Sequence, residues 1–208
     1  MTTPSIAELR TTWTVRPVFS NAAVNRAAIR LLADRRPVTA EALAAATGEP
    51  VAQAEAYIEA AAGQGYEVED GALVGAALTL RPTQHRFRVR GHDLYTWCGF
   101  DALFLPIMLD ERAEAASTCP VTGTDITLTI EADGTVSAAS PESAVVGIVG
   151  QDVTSCCTTT GLQSDVCTQM PFFASRRAGE QWQAGHPGVA IVDLDDAREI
   201  ARAYVAAC

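Results

Sequence analysis

Ile126-Thr127-Leu128-Thr129-Ile130-Glu131-Ala132-Asp133-Gly134-Thr135-Val136-Ser137-Ala138-Ala139 reads as two strands around a tight turn. Ile126, Leu128 and Ile130 alternate with threonines, the period of a half-buried strand. Asp133-Gly134 is a strong short-range hairpin signal, because the favoured two-residue turn needs residues that accept positive φ. The strands therefore run antiparallel, and Thr135 to Ala139 is the return.

Working outward, Ala144 to Val149 and Gly188 to Leu194 predict further strands, and Asp195 to Ala207 a closing helix. Toward the N-terminus the period changes to that of helices. Residues 21–36 place Val24, Ala27, Ala28, Leu31 and Leu32 on one stripe, with Arg26, Arg30, Arg35 and Arg36 outside it. Pro37 ends that helix, a second runs from Thr39 to Ala46 before Gly48, and a third from Pro50 to about Gly63. Tyr66 to Leu80 then predicts a hairpin around Asp70-Gly71, and Arg86-Phe87-Arg88-Val89 one more strand.

The expected fold is α+β: an N-terminal winged-helix-like three-helix unit, residues 1–82, followed by a mixed, mostly antiparallel β core with flanking helices, residues 83–208. Arg81-Pro82-Thr83-Gln84 is the expected linker. Between them, Leu94, Trp97, Leu103, Phe104, Ile107 and Met108 recur at helical spacing, which predicts a helix from Tyr95 to Leu109 kinked or ended by Pro106. On such a helix Cys98 and Asp101 share one face as i and i+3 neighbours.

The 208 residues suffice for a sizeable core. All fifteen basic residues are arginine, so Schiff-base chemistry, a P-loop lysine and a lysine general base are excluded. The net charge of −10 argues against binding nucleic acid through its phosphates. The N-terminal stretch lacks a charged region leading into an apolar segment, and no apolar run approaches a membrane span of roughly 18 residues. A cytoplasmic location without membrane contact is the expectation, and there the six cysteines read as thiols and not as a disulfide framework. His85, His92 and His186 lack zinc-ligand spacing, and the serine-hydrolase and dinucleotide motifs are missing.

Cys98, Asp101 and Cys167 remain as the chemically informative set. Two thiolates converging on one point select a soft, thiophilic metal. A carboxylate beside them is able to move a proton, and the combination matches what carbon–mercury bond cleavage requires.

These residues carry a family resemblance. Tyr95-Thr96-Trp97-Cys98-Gly99-Phe100-Asp101, continued to Pro106, is similar to the Tyr-x-Trp-Cys-x-x-Asp-x-x-x-x-Pro segment of the organomercurial (alkylmercury) lyases. Cys119-Pro120-Val121-Thr122-Gly123 resembles their Cys-x-x-Thr-Gly segment, and Cys167 through Phe172-Phe173-Ala174-Ser175 their second catalytic cysteine region. The resemblance runs from about residue 15 to about residue 200. It departs in one respect: the family's Cys-Cys pair is here Cys167-Thr168, while a tandem Cys156-Cys157 stands earlier. Counting back from Phe172 assigns the second thiol to Cys167, with Cys156 or Cys157 as the alternative.

The resemblance implies a lyase that protonates the carbon of an organomercurial, with Cys98, Cys167 and Asp101 as catalytic groups and as holders of the Hg(II) product. It further implies Tyr95 and Trp97 beside the substrate pocket, a structural Cys119, and no organic cofactor. Small-molecule thiols and a mercuric reductase are the implied acceptors of Hg(II). Cys156 and Cys157 stand as possible accessory thiols, and the terminal Cys208 is expected to have no role. Two rival readings are a winged-helix sensor of thiophilic metals, in which residues 21–80 bind DNA, and a homologue that stores a soft metal without cleaving anything.

Overall fold

Helix α1 (Ile6–Val15) lies against the last helix, α7 (Leu194–Ala207), in a computed structural model that describes residues 4–15, 22–150 and 166–207. Ala197, Ile200, Ala201, Tyr204 and Val205 of α7 are buried, the stripe that the 3.6-residue period puts on one face. Tyr204 packs its ring on Trp13, Phe100 and Phe104, with centroids 4.9–6.2 Å apart. Such aromatic contacts add ~1 kcal/mol each beyond the area they bury. The indole N–H of Trp13 donates to the Val149 carbonyl at 3.1 Å, which ties α1 to the strand beneath.

Three helices follow, α2 (Ala22–Leu32), α3 (Ala40–Thr47) and α4 (Val51–Gly63). The Thr39 hydroxyl accepts from the Ala42 amide to start α3, and Gly48 ends it in a left-handed conformation. Helix α2 stops at Leu32, four residues short of the expected Arg36, because 33–36 form a turn with Arg35 at φ 57°.

Eight strands form one antiparallel sheet: β1 (Glu67–Glu69), β2 (Ala72–Ala76), β3 (Leu78–Thr79), β4 (His85–Val89), β5 (His92–Thr96), β6 (Ala113–Thr118), β7 (Asp125–Ile130) and β8 (Val136–Ser140). Their spatial order is β1-β2-β3-β5-β4-β6-β7-β8. The sheet is continuous across residue 82, since β3 pairs with β5 through Leu78 opposite Thr96. A second, three-stranded antiparallel sheet has the order β10-β9-β11, from β9 (Val145–Val149), β10 (Phe172–Phe173) and β11 (Val189–Asp193). Helices α5 (Gly99–Leu109) and α6 (Arg176–Gln183) are the remaining α-helices among the described residues. Helix α5 is buried along nearly its whole length and packs on α7, α2 and β9, so it lies at the centre of the core.

The expected helix from Tyr95 to Leu109 is corrected here. His92 to Thr96 is a strand, paired with both β3 and β4, and the helix begins only at Gly99. Leu94 and Thr96 are buried while Asp93 and Tyr95 are less so, the alternation of a strand. Pro106 does not end α5, for the helix continues to Leu109 and closes at Asp110.

Candidate active site

Two arms of the chain meet at the N-terminus of α5. On the first arm, β5 ends at Thr96, whose hydroxyl donates to the Cys98 carbonyl at 2.8 Å. Cys98 is extended, with φ −149° and ψ 175°, and caps the helix. Its sulfur accepts from the Asp101 amide at 3.4 Å, and the Asp101 carboxylate accepts from the Cys98 amide at 3.0 Å. This is a capping box with a thiol in the usual hydroxyl position and an aspartate at the third helical residue. The expected i, i+3 neighbourhood therefore holds, but by reciprocal capping and not by a shared helical face.

On the second arm, Cys167 opens a short 3-10 helix, Cys167–Gln169, that leads into β10. The Gly99 amide donates to the Met170 carbonyl at 2.8 Å and so stitches the arms together. The Gly147 amide on β9 donates to the Pro171 carbonyl at 3.0 Å and fixes the second arm from behind. Gly99 has to be glycine for this approach: a Cβ there falls 2.9 Å from the Met170 carbonyl oxygen and 3.1 Å from the Phe172 ring.

The result is a cluster in which the sulfurs of Cys98 and Cys167 and a carboxylate oxygen of Asp101 all lie within 4.8 Å of one another. Cys98 is inaccessible to solvent, and Asp101 and Cys167 expose only 6% and 5%. Burial disfavours each charged form. It pushes the Cys98 thiol well above its ordinary value, helped by Cys167 and the Asp101 charge. The Cys98 hydrogen bond draws Cys167 down, yet burial and the Asp101 charge together leave it raised. Burial also lifts Asp101 to about 7, against hydrogen bonds from Cys98 and Trp97 that pull it down. The carboxyl therefore exchanges its proton near neutrality, while both thiols start protonated.

Cys119 lies apart from this cluster. Burial pushes its thiol up, but hydrogen bonds from the Thr122 hydroxyl and from backbone at Ala174, Thr122 and Val121 outweigh that and hold it below the ordinary value. Its link to Ala174 ties the end of β6 to the segment just after β10. Trp97 precedes Cys98 and is buried, whereas Tyr95 is half-buried, with Thr79 and Arg86 opposite it across the strands. Cys156, Cys157 and Cys208 lie outside the described residues.

The sequence model of the alkylmercury lyases matches residues 78–206. An alkylmercury lyase of Streptomyces lividans is 37% identical over 177 residues, spanning 85% of this chain and 79% of the relative. One of Staphylococcus epidermidis is 36% identical over the same shares. The chain belongs to the alkylmercury lyase family.

A solved structure described as the mercury-bound form of MerB2 superposes with a TM-score of 0.76, covering 97% of this chain and 98% of that one at 22% identity. It shares the mixed α and β fold. The stretch matched by the alkylmercury lyase model contains Trp97, Cys98, Asp101 and Cys167 but starts after Glu67. Sequence reasoning missed Glu67, a buried carboxylate that accepts from the Trp97 indole N–H at 3.2 Å. Its only sequence signal was an acidic residue at the start of a hairpin strand, unremarkable until the register is known.

Proposed function

We propose that this chain is an organomercurial lyase, cleaving the carbon–mercury bond of R–Hg⁺ with a proton to give R–H and Hg(II). One observation carries the reading: two buried thiols and a buried carboxyl of pKa about 7 within 4.8 Å of one another. Soft sulfur donors suit mercury, and the carboxyl is tuned to take and return a proton near neutral pH.

In the sequence of events we infer, ionised Asp101 accepts the proton of one thiol as that sulfur bonds to the mercury of the substrate. The second thiol then joins the metal with its own proton passing to solvent, and the electron density it adds makes the carbon more basic. Asp101 delivers its proton to the carbon, the carbon–mercury bond breaks with its electron pair going to the new C–H bond, and Hg(II) stays bridged by Cys98 and Cys167. No organic cofactor enters this scheme. Small-molecule thiols, and then a mercuric reductase, are the acceptors we infer for Hg(II), in a cytoplasmic setting. None of the described helices is long and apolar enough to cross a membrane.

Residues 1–82 act in this reading as a winged-helix-like cover, and 83–208 carry the reacting groups. Trp97 borders the pocket through its place beside Cys98, and Tyr95 is assigned there on family resemblance alone. Cys119 is structural, a role supported by its bonding to the segment that carries Cys167.

The test is incubation of the purified full-length chain with phenylmercury acetate and excess small thiol, with benzene measured by gas chromatography. Benzene release that depends on Cys98, Cys167 and Asp101 is the expected outcome. Stoichiometric capture of the mercurial without benzene removes cleavage and leaves a soft-metal store.

A further inference from the structure

Glu67 is a carboxylate in an unusual position. It opens β1, where the register with β2 slips between Glu67 and Val68. Such bulges re-aim side chains, and here the slip coincides with a glutamate that is 6% exposed beside a half-buried Val68 and an exposed Glu69. The surroundings are built to receive it. Thr79 Oγ1 donates to its Oε2, and the indole N–H of Trp97 donates to its Oε1 at 3.2 Å. Gly75 leaves the room, because a Cβ at that position would run into Glu67 Oε2.

Burying a carboxylate is costly unless donors hold it, and a leucine fills such a space without that cost. The benefit lies with Trp97. Its backbone amide donates to the Ala77 carbonyl at 3.0 Å, and its ring stands edge-on to Tyr66 with centroids 6.0 Å apart. Trp97 is thus held at its backbone by Ala77 and at its ring by Glu67 and Tyr66, and the next residue is Cys98.

We propose that Glu67 is a positioning residue for the cleavage centre: it fixes the Trp97 indole, and through it the end of β5 that delivers Cys98. The proposal rests on the lyase reading above. It assigns the N-terminal unit a part in the chemistry through residues that precede the reacting half of the chain.

The test compares full-length Glu67→Gln, Glu67→Leu, Trp97→Phe and the double variant Glu67→Leu/Trp97→Phe. Glutamine keeps an oxygen acceptor for the indole, so it retains kcat within about threefold. Leucine removes the acceptor and lowers kcat by about tenfold or more, with KM little changed. In the double variant the leucine adds no further loss, since the tether it breaks has already gone. Emission from Trp97, isolated by subtracting the Trp97→Phe spectrum, shifts in the leucine variant and not in the glutamine one.

Unchanged kcat in Glu67→Leu, or losses that multiply in the double variant, overturns the proposal. If the leucine variant does not fold, Gly75→Ala takes its place, because the added Cβ displaces the same carboxylate. If the wild type captures phenylmercury but releases no benzene, the lyase reading fails on its own. The capture affinity of the same variants then decides the positioning role: about tenfold weaker capture in Glu67→Leu alone supports it, and equal capture overturns it.

Discussion

Cys98 and Asp101 cap one another: each accepts a hydrogen bond from the other's backbone amide, at 3.4 Å to the sulfur and 3.0 Å to the carboxylate. The pair we propose for the chemistry is thereby also the pair that starts the central helix. Its geometry is set before any substrate arrives, as pre-organised catalysis requires.

Asp101→Asn separates these two tasks. The amide oxygen still accepts from the Cys98 N–H, so the cap survives, but no titratable proton remains. Hydrocarbon release is expected to slow at least about 10²-fold, the lower end of what a positioned proton donor contributes. Mass spectrometry should still find the organomercury adduct. An unchanged release rate removes Asp101 from the mechanism.

The pH dependence of activity follows from the same carboxyl. Its ionised form must receive the thiol proton, so kcat/KM is expected to fall on the acid side of a midpoint near 7, the value to which burial lifts Asp101. A profile of benzene release between pH 5 and 9 checks this, with the acid limb absent in Asp101→Asn.

Stability should run the opposite way. Folding raises the pKa of Asp101 from 3.8 to about 7, so the native state binds the proton more tightly than the unfolded chain. The associated stabilisation is full below pH 3.8 and is lost as pH rises toward 7. A shift of about three units corresponds to on the order of 4 kcal/mol. Asp101→Asn should therefore gain stability relative to wild type across that window, read as the difference in urea midpoint at pH 4 and pH 8. A constant difference refutes the assignment.

Much of this was legible in local sequence. Thr39 and Gly48 bracket α3 by capping chemistry that needs no tertiary contact, and Asp133-Gly134 marks its hairpin in the same way. The segment before α5 reads as helix because Leu94 and Trp97 satisfy a helical spacing, whereas the strand buries Leu94 together with the polar Thr96, which carries no apolar signal. Pairing of His92 to Thr96 with β3 and β4 settles it, and that is a long-range fact. Strand β6 went unread since Ala113-Glu114-Ala115-Ala116 has weak strand propensity and is held by its neighbours β4 and β7. Cys98 and Asp101 were found through their spacing and family segment. Their meeting with Cys167 depends on the Gly99 to Met170 bond, which no local pattern announces.

Cys167→Ser is expected to abolish turnover while leaving the fold intact, since a hydroxyl is a poor ligand for a soft metal. Serine at Cys156 or Cys157 should cost little. Steady-state rates on one aryl and one alkyl mercurial decide between them, and full activity in Cys167→Ser transfers the role to the tandem pair.

Gly99→Ala tests the joint between the arms. The new Cβ meets the Met170 carbonyl oxygen at 2.9 Å, and backbone cannot step aside as a flexible side chain does. A loss of ~1–3 kcal/mol in stability is expected from the forced shift. Turnover should fall more than about tenfold, because the two sulfurs part. Wild-type rates in a folded Gly99→Ala protein show that the close approach is dispensable.

The two sulfurs belong to segments about 70 residues apart, and they become neighbours only when the sheet carrying β10 docks on the helix that Cys98 caps. Any ion that bridges them is then a removable cross-link between distant parts of the chain, made in the native state and absent from the unfolded one. Mass action makes such an ion a folding ligand, worth about 4 kcal/mol at a thousand times its dissociation constant. An enzyme that has not yet surrendered its metal is accordingly the most heat-resistant species in solution, and the melting temperature becomes a gauge of how much product is still on board.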